Sequence, residues 1–212
     1  MEISAKEVIL FGLSLLILFS IADQINKEMK DEISLPLKAL VVKGELGGER
    51  NEENITKLVE NANKVWQKAN VSFGLTKIET VEINSDVINT ALKGNGNVLA
   101  DVSGYDSNAI NIFFIKNMSH NGISFPEQKI VVMPDKTTNL EYVAAAHELG
   151  HILGLGHNAQ EKYLMFAVCN GTAISLTETL DARRNAKTLL VGFNSHIVLP
   201  STVVEFTVVG CR

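Results

Sequence analysis

The chain has 212 residues, of which 46% are hydrophobic and 20% charged, and its net charge is −5. That balance fits one globular domain. An acidic chain with no basic stripe interleaved with aromatics argues against nucleic acid as a partner, and no internal repeat or low-complexity tract is present.

Val8 to Ala22 is an apolar run of fifteen residues without a charge. It is short for a bilayer span and at the long end for a signal-peptide core. Ser20 and Ala22 put small residues where a signal peptidase reads, so residues 1–22 are expected to be removed before Asp23. The flank counts against it, because Lys6 is opposed by Glu2 and Glu7 and the usual positive excess is missing. An uncleaved membrane anchor and a buried core helix are the alternatives, and signal and anchor both imply export. Residues 23–34 are polar and read as a linker or short helix.

From residue 35 the pattern is that of a single domain. Leu37–Val42 reads as a strand between Pro36 and Gly44. Asn54–Ala69 is helical, with Ile55, Leu58, Val59, Ala62, Val65 and Trp66 on one face and Trp66 packing on a sheet. Val71–Leu75, extended toward Val81, is a second strand. Asp86–Leu92 is weakly helical, and residues 94–97 form a turn. Ala109–Ile115 is a buried strand, Gly122–Phe125 a short one ended by Pro126 as suits a sheet edge, and Lys129–Met133 another. A helix follows over Asn139–Leu153. This order describes an α/β layer with a mostly parallel sheet.

The run His147-Glu148-Leu149-Gly150-His151-Ile152-Leu153-Gly154-Leu155-Gly156-His157 carries the chemistry. His147 and His151 are four apart, so on a helix they sit one turn above the other on one face. Glu148 is rotated off that line and can reach a water on the metal without binding it. Gly154 can leave the helix with positive φ, which would bring His157 back as a third ligand. Three protein ligands leave a fourth position open, as a catalytic zinc requires.

Residues 35–157 form an upper lobe and 158–212 a smaller lower one. In the latter, Ser175 and Glu178 have capping-box spacing at the start of a helix running to about Val191. Ile197–Val209 is apolar and β-rich, read as a hairpin broken at Pro200. The two cysteines, Cys169 and Cys211, are able to form one disulfide in an exported protein; two buried thiols are the alternative. Four Asn-x-Ser/Thr sequons begin at Asn54, Asn70, Asn117 and Asn170 and matter only in a glycosylating host. His120 and His196 read as surface or turn residues. Asp101 and Asp106 are compatible with calcium, but nothing in the sequence supports it over a solvated loop.

The histidine motif resembles that of the metzincin metalloendopeptidases, and Tyr163-Leu164-Met165 is similar to their Met-turn. The step of eight residues from His157 to Met165 resembles the matrixin branch. The likeness spans roughly Leu35 to Gly192 and is diagnostic between Val143 and Met165. It implies an α/β (α+β) fold: a mixed, mostly parallel twisted sheet with an antiparallel edge strand, an active-site helix and a small C-terminal subdomain with one long helix. It further implies His147, His151 and His157 as zinc ligands, Glu148 as general base and acid, and Met165 as the residue beneath the zinc. Gly122, Ile123, Ser124 and Phe125 would form a rail for extended substrate, with Leu164–Ala167, Phe166 included, walling the pocket after the cleaved bond.

The chain departs from the family in places. Phe166-Ala167 replaces the tyrosine-proline matrixins often carry after the methionine. The two histidines outside the motif are too few for a structural zinc, and residues 23–34 are too few for a pro-segment with a cysteine latch.

The expectation is a monomeric zinc endopeptidase hydrolysing extracellular or cell-surface proteins, with the zinc-bound water activated by Glu148. It would be secreted, or anchored to the membrane through residues 8–22. The alternatives are a zinc-containing module that binds or inhibits peptides without cleaving them, and an amidase acting on a non-peptide substrate.

Overall fold

The computed structural model describes residues 5–195 and 210–211. The chain divides into two units, Met1–Glu32 and Ile33–Arg212. The first contains helix α1 (Ala5–Met29). Of residues 23–34, read as a linker or short helix, 23–29 continue α1 and 33–34 begin the first strand. No glycine or proline interrupts residues 22–29, and once a helix is nucleated each added residue gains a hydrogen bond. Lys27 and Asp23 pair one turn apart at 2.8 Å. By length and composition, Leu10–Met29 is the one helix among the described residues apolar enough to cross a membrane.

The second unit is built on a six-stranded sheet in the order β2-β1-β3-β5-β4-β6. Strands β1 (Ile33–Lys43), β2 (Val71–Glu82), β3 (Ile110–Ile115) and β5 (Ile130–Pro134) run parallel; β4 (Gly122–Phe125) and the two-residue β6 (Gly210–Cys211) are antiparallel additions. β1 begins at Ile33, earlier than the proline suggests. Pro36 faces Gly74 of β2, while pairing with β3 starts only at Leu37. A residue without an N–H is tolerated there because the strand still has a neighbour on one side only. One turn later Thr76 bulges out of β2 and its hydroxyl donates to the Leu37 carbonyl at 3.0 Å.

Side chains alternate across the sheet with period two. Leu35, Leu37, Ala39 and Val41 of β1, Ile112 and Phe114 of β3, and Val131 and Met133 of β5 face a layer of helices. That layer is α2 (Glu52–Trp66), capped by the Asn51 side chain on Asn54 N–H, and α5 (Glu141–Ile152). Trp66 meets Phe73 of β2 edge-on at 6.3 Å and donates its indole N–H to the Ala146 carbonyl at 3.1 Å. Leu40, Val42, Phe113, Ile115 and Val132 face the opposite side, covered by α3 (Ser85–Leu92) and α4 (Asn97–Ala100).

Helix α6 (Leu176–Ser195) belongs to the lower lobe. The Ser175 hydroxyl accepts from Glu178 N–H at 3.2 Å while the Glu178 carboxylate accepts from Ser175 N–H at 2.8 Å, the reciprocal box expected from the spacing. The helix continues through Gly192 to Ser195, beyond the expected end at Val191. Arg183, fully buried, donates to the carbonyls of Ala69 and Asn70 at 2.8 and 2.9 Å and so ties this helix to the turn before β2. The expected hairpin over Ile197–Val209 lies outside the described residues, as does His196.

Candidate active site

Helix α5 places His147 and His151 one turn apart on one face, both buried. The helix ends because Gly154 adopts φ +76°. Gly154 N–H then reaches the His151 carbonyl (2.9 Å) and Leu155 N–H the Gly150 carbonyl (3.0 Å), closing the last turn. Glycine is required there twice over, since a Cβ would also collide with the Asn185 amide, which itself donates to the Leu153 carbonyl at 2.8 Å. The reversal returns His157 to the other two rings. Ring centroids are 4.7 Å (147–151), 5.2 Å (147–157) and 4.9 Å (151–157) apart, and one ring nitrogen from each lies within 4.8 Å of the others.

Backbone carbonyls orient two of these rings. His147 Nδ1 is 2.8 Å from the Leu164 carbonyl and His151 Nδ1 2.8 Å from the Leu155 carbonyl. A carbonyl only accepts, so each Nδ1 carries the proton and each Nε2 keeps its lone pair. Both Nε2 atoms are buried without a hydrogen-bond partner among the described residues. Such orphaned acceptors ordinarily cost about 1–3 kcal/mol each, and a cation among them removes the penalty. Burial also pushes the His147 and His151 rings down to about 3 and about 4, the neighbouring rings' charge adding to the effect while the carbonyl bonds oppose it. The more exposed His157 is lowered by the same desolvation. Neutral imidazoles with free lone pairs are the donor set zinc takes.

The chain after His157 is held from below. Asn158 N–H donates to the Met165 carbonyl at 2.7 Å, and the Asn158 amide to Glu178 of the capping box at 2.9 Å. Met165 is fully buried against Gly150 of α5: a Cβ at position 150 would run into its sulfur. The N-terminal end of α5 is fixed by Arg50, which pairs with Glu141 at 3.0 Å, donates to the carbonyls of Pro134 and Asp135, both at 2.8 Å, and lies over the Phe114 ring.

The matrixin family profile matches residues 44–183. The chain belongs to the matrixin family. No curated protein matches it. Among solved structures it is similar to a chain described as "Structure of a chaperone-substrate complex", with TM-score 0.55 and 13% identity over 76% of this chain and 36% of that one. It also matches metalloproteinase-II from Bacteroides fragilis (TM-score 0.47, 14% identity, 74% of this chain and 54% of that one). A third match is the archaemetzincin of Methanopyrus kandleri (TM-score 0.41, 15% identity, 77% and 96%). The first of these supports the fold alone. The chain spans 36% and 54% of the first two chains it matches.

Within this matrixin, β4 lies alongside the motif helix. A Cβ on Gly122 would come within 3.0 Å of the Glu148 carboxyl, so the glycine lets the strand pass directly over that side chain. Glu148 is fully buried. Gly122, Ile123, Ser124 and Phe125 are buried too, and the outer side of Gly122 and Ile123 is paired with Cys211 and Gly210 of β6. Of the expected pocket wall, Leu164 points into the core and lends its carbonyl to His147, whereas Phe166 is partly exposed. Cys169, buried beyond the Met-turn, is disulfide-bonded.

Other expected features stay apart from this centre. His120 sits in a turn, its ring 3.0 Å from the Ser119 hydroxyl. The Asp106 carboxylate accepts from Asn108 N–H, and the buried Asn111 amide holds the same loop. Among the described residues, no group of three or more ligating side chains other than the histidine trio comes together, and calcium finds no support at Asp101 and Asp106. Spacing alone revealed neither the orienting carbonyls nor Asn185, Arg50 and the Gly122–Glu148 contact. Asn158, adjoining the motif, was the one visible clue.

Proposed function

We propose that His147, His151 and His157 hold one zinc ion and that Glu148 is the general base and acid of an endopeptidase acting on extended chains. The reading is carried by the convergence of three ring nitrogens within 4.8 Å, beside a buried carboxylate one residue along the same helix. Zinc bound there supplies Lewis acidity, bringing a water's pKa toward neutrality and polarising the scissile carbonyl. Glu148 takes the proton of the attacking water as its oxygen adds to the carbonyl carbon, then delivers it to the leaving amine as the C–N bond breaks. The Leu164 and Leu155 carbonyls keep the His147 and His151 rings in the correct tautomer. Met165 packs beneath the three rings.

Substrate lies extended along β4 and gains main-chain hydrogen bonds by strand addition. Phe166 borders the pocket for the residue after the cleaved bond, while Leu164, buried in the core, contributes to the site through the carbonyl it lends to His147. Residues 1–22 act as a signal peptide or anchor, residues 35–212 are the catalytic domain, and the targets are extracellular or cell-surface proteins. Cys169 pairs with Cys211, the one other cysteine in the chain.

The full chain, loaded with zinc and incubated with a peptide library, is expected to yield fragments that vanish with a chelator. Glu148→Ala should keep its zinc and lose roughly 10²–10⁴-fold in kcat. Turnover retained by a zinc-loaded Glu148→Ala sample would overturn the role given to Glu148. An absence of chelator-sensitive fragments from the wild type would overturn the function itself.

A further inference from the structure

The side of β4 that an extended substrate would use is already partly taken. β6 pairs antiparallel with Gly122 and Ile123, and Gly122 is the residue that passes over Glu148. β6 also contacts α5 itself. Cys211 is one half of this two-residue strand, and Cys169, in the loop beyond the Met-turn, is disulfide-bonded.

We infer that β6 is a built-in competitor for the substrate strand, held against β4 by the Cys169–Cys211 bond. The inference rests on the strand-addition reading of substrate binding. Two ladder residues alone bind weakly. Tethering changes this, because a short intramolecular connection presents the segment at an effective concentration of ~mM. A substrate able to pair with all four residues of β4, Gly122 to Phe125, displaces a strand that covers only two of them. The contact therefore selects for substrates with a long extended stretch. A competitor of this kind raises KM and leaves kcat unchanged.

Two variants weaken β6 by different routes. Cys211→Ser removes the disulfide clamp and leaves β6 joined by the main chain alone, and Gly210→Pro keeps the clamp but disrupts strand pairing by removing an N–H and fixing φ. Each is made in the full chain in mild detergent, with zinc content and thermal unfolding measured to show that the fold and site survive. Either variant is expected to lower KM for an unstructured fluorogenic peptide by roughly tenfold at unchanged kcat, the factor that an effective concentration of ~mM gives a segment whose own dissociation constant is about 0.1 mM. The same changes are placed in a Glu148→Ala background, where the anisotropy of a labelled extended peptide reads binding without turnover. Tenfold tighter peptide binding there upholds the competitor, and if the Glu148 enzyme leaves the same peptide uncleaved, that second result overturns the peptidase mechanism alone. Peptide affinity and KM equal to the parent in both folded variants would overturn the competitor and leave the peptidase intact.

Discussion

A methyl group at position 150 would meet Met165 Sδ, lie 3.1 Å from its Cε and sit 3.3 Å from Trp66 Cζ2. Both side chains are fully buried, so Met165 makes room only by displacing its own neighbours in the core. Gly150→Ala is expected to cost about 1–3 kcal/mol as an overpacked core and to weaken zinc binding, although alanine is the better helix former. Urea unfolding together with a chelator competition reads both effects, and a more stable protein with unchanged zinc affinity would contradict the tight seat. The histidines make a second prediction. Burial holds His147 near 3 and His151 near 4, whereas an unfolded chain has them near the ordinary value of about 6.5. Below that value the unfolded zinc-free chain takes up protons that the folded one refuses. The stability contributed by the neutral rings is whole above about pH 6.5 and drains away as pH falls toward the folded values. The urea midpoint of zinc-free protein should therefore be lower at about pH 5 than at about pH 7. Equal midpoints would mean that the rings are hydrated in the folded state.

Helix α5 ends where it does through a partner on another element. Asn185 of α6 donates to the Leu153 carbonyl, beside the glycine that turns the chain toward His157. Asn185→Ala should cost about 1 kcal/mol for the lost bond and loosen the third histidine. It would show as faster zinc loss to a chelator with little change in far-ultraviolet circular dichroism. Unchanged zinc release would detach α6 from the site. The elements legible in the sequence were those whose signal is local: the periodic face of α2, the apolar run of β3, the box at Ser175 and Glu178, and the histidine spacing of α5. Those misjudged depend on neighbours remote in the chain. β1 extends back past Pro36 because β2 is there to receive it. Gly210–Cys211 is a strand only because β4 lies beside it. At the site the same division holds. Histidine, glutamate and glycine are chemically distinctive in a sequence, but the Leu155 and Leu164 carbonyls that fix the rings belong to a group every residue carries.

Across the second unit as a whole, the sheet and the lower helix are joined by a buried cation. Arg183 donates to two carbonyls in the turn that leads into β2, more than a hundred residues earlier. Arg183→Leu removes these donors and is expected to destabilise the fold by roughly 1–3 kcal/mol, since the Ala69 carbonyl loses its buried partner while the Asn70 carbonyl keeps the Ile33 N–H at 3.1 Å. Thermal unfolding of the zinc-loaded protein measures it, and a melting temperature within a degree of the parent would show that water replaces the guanidinium. Together with Asn185, this anchor means that the ends of the zinc-motif helix and of the first crossover are both finished by α6, a helix translated after both of them. Domains fold as units while the ribosome delivers them from the N-terminus. A nascent chain thus displays the whole histidine motif before it is able to lock it, and the three rings gain their support from α6 only once Leu176–Ser195 has cleared the exit tunnel.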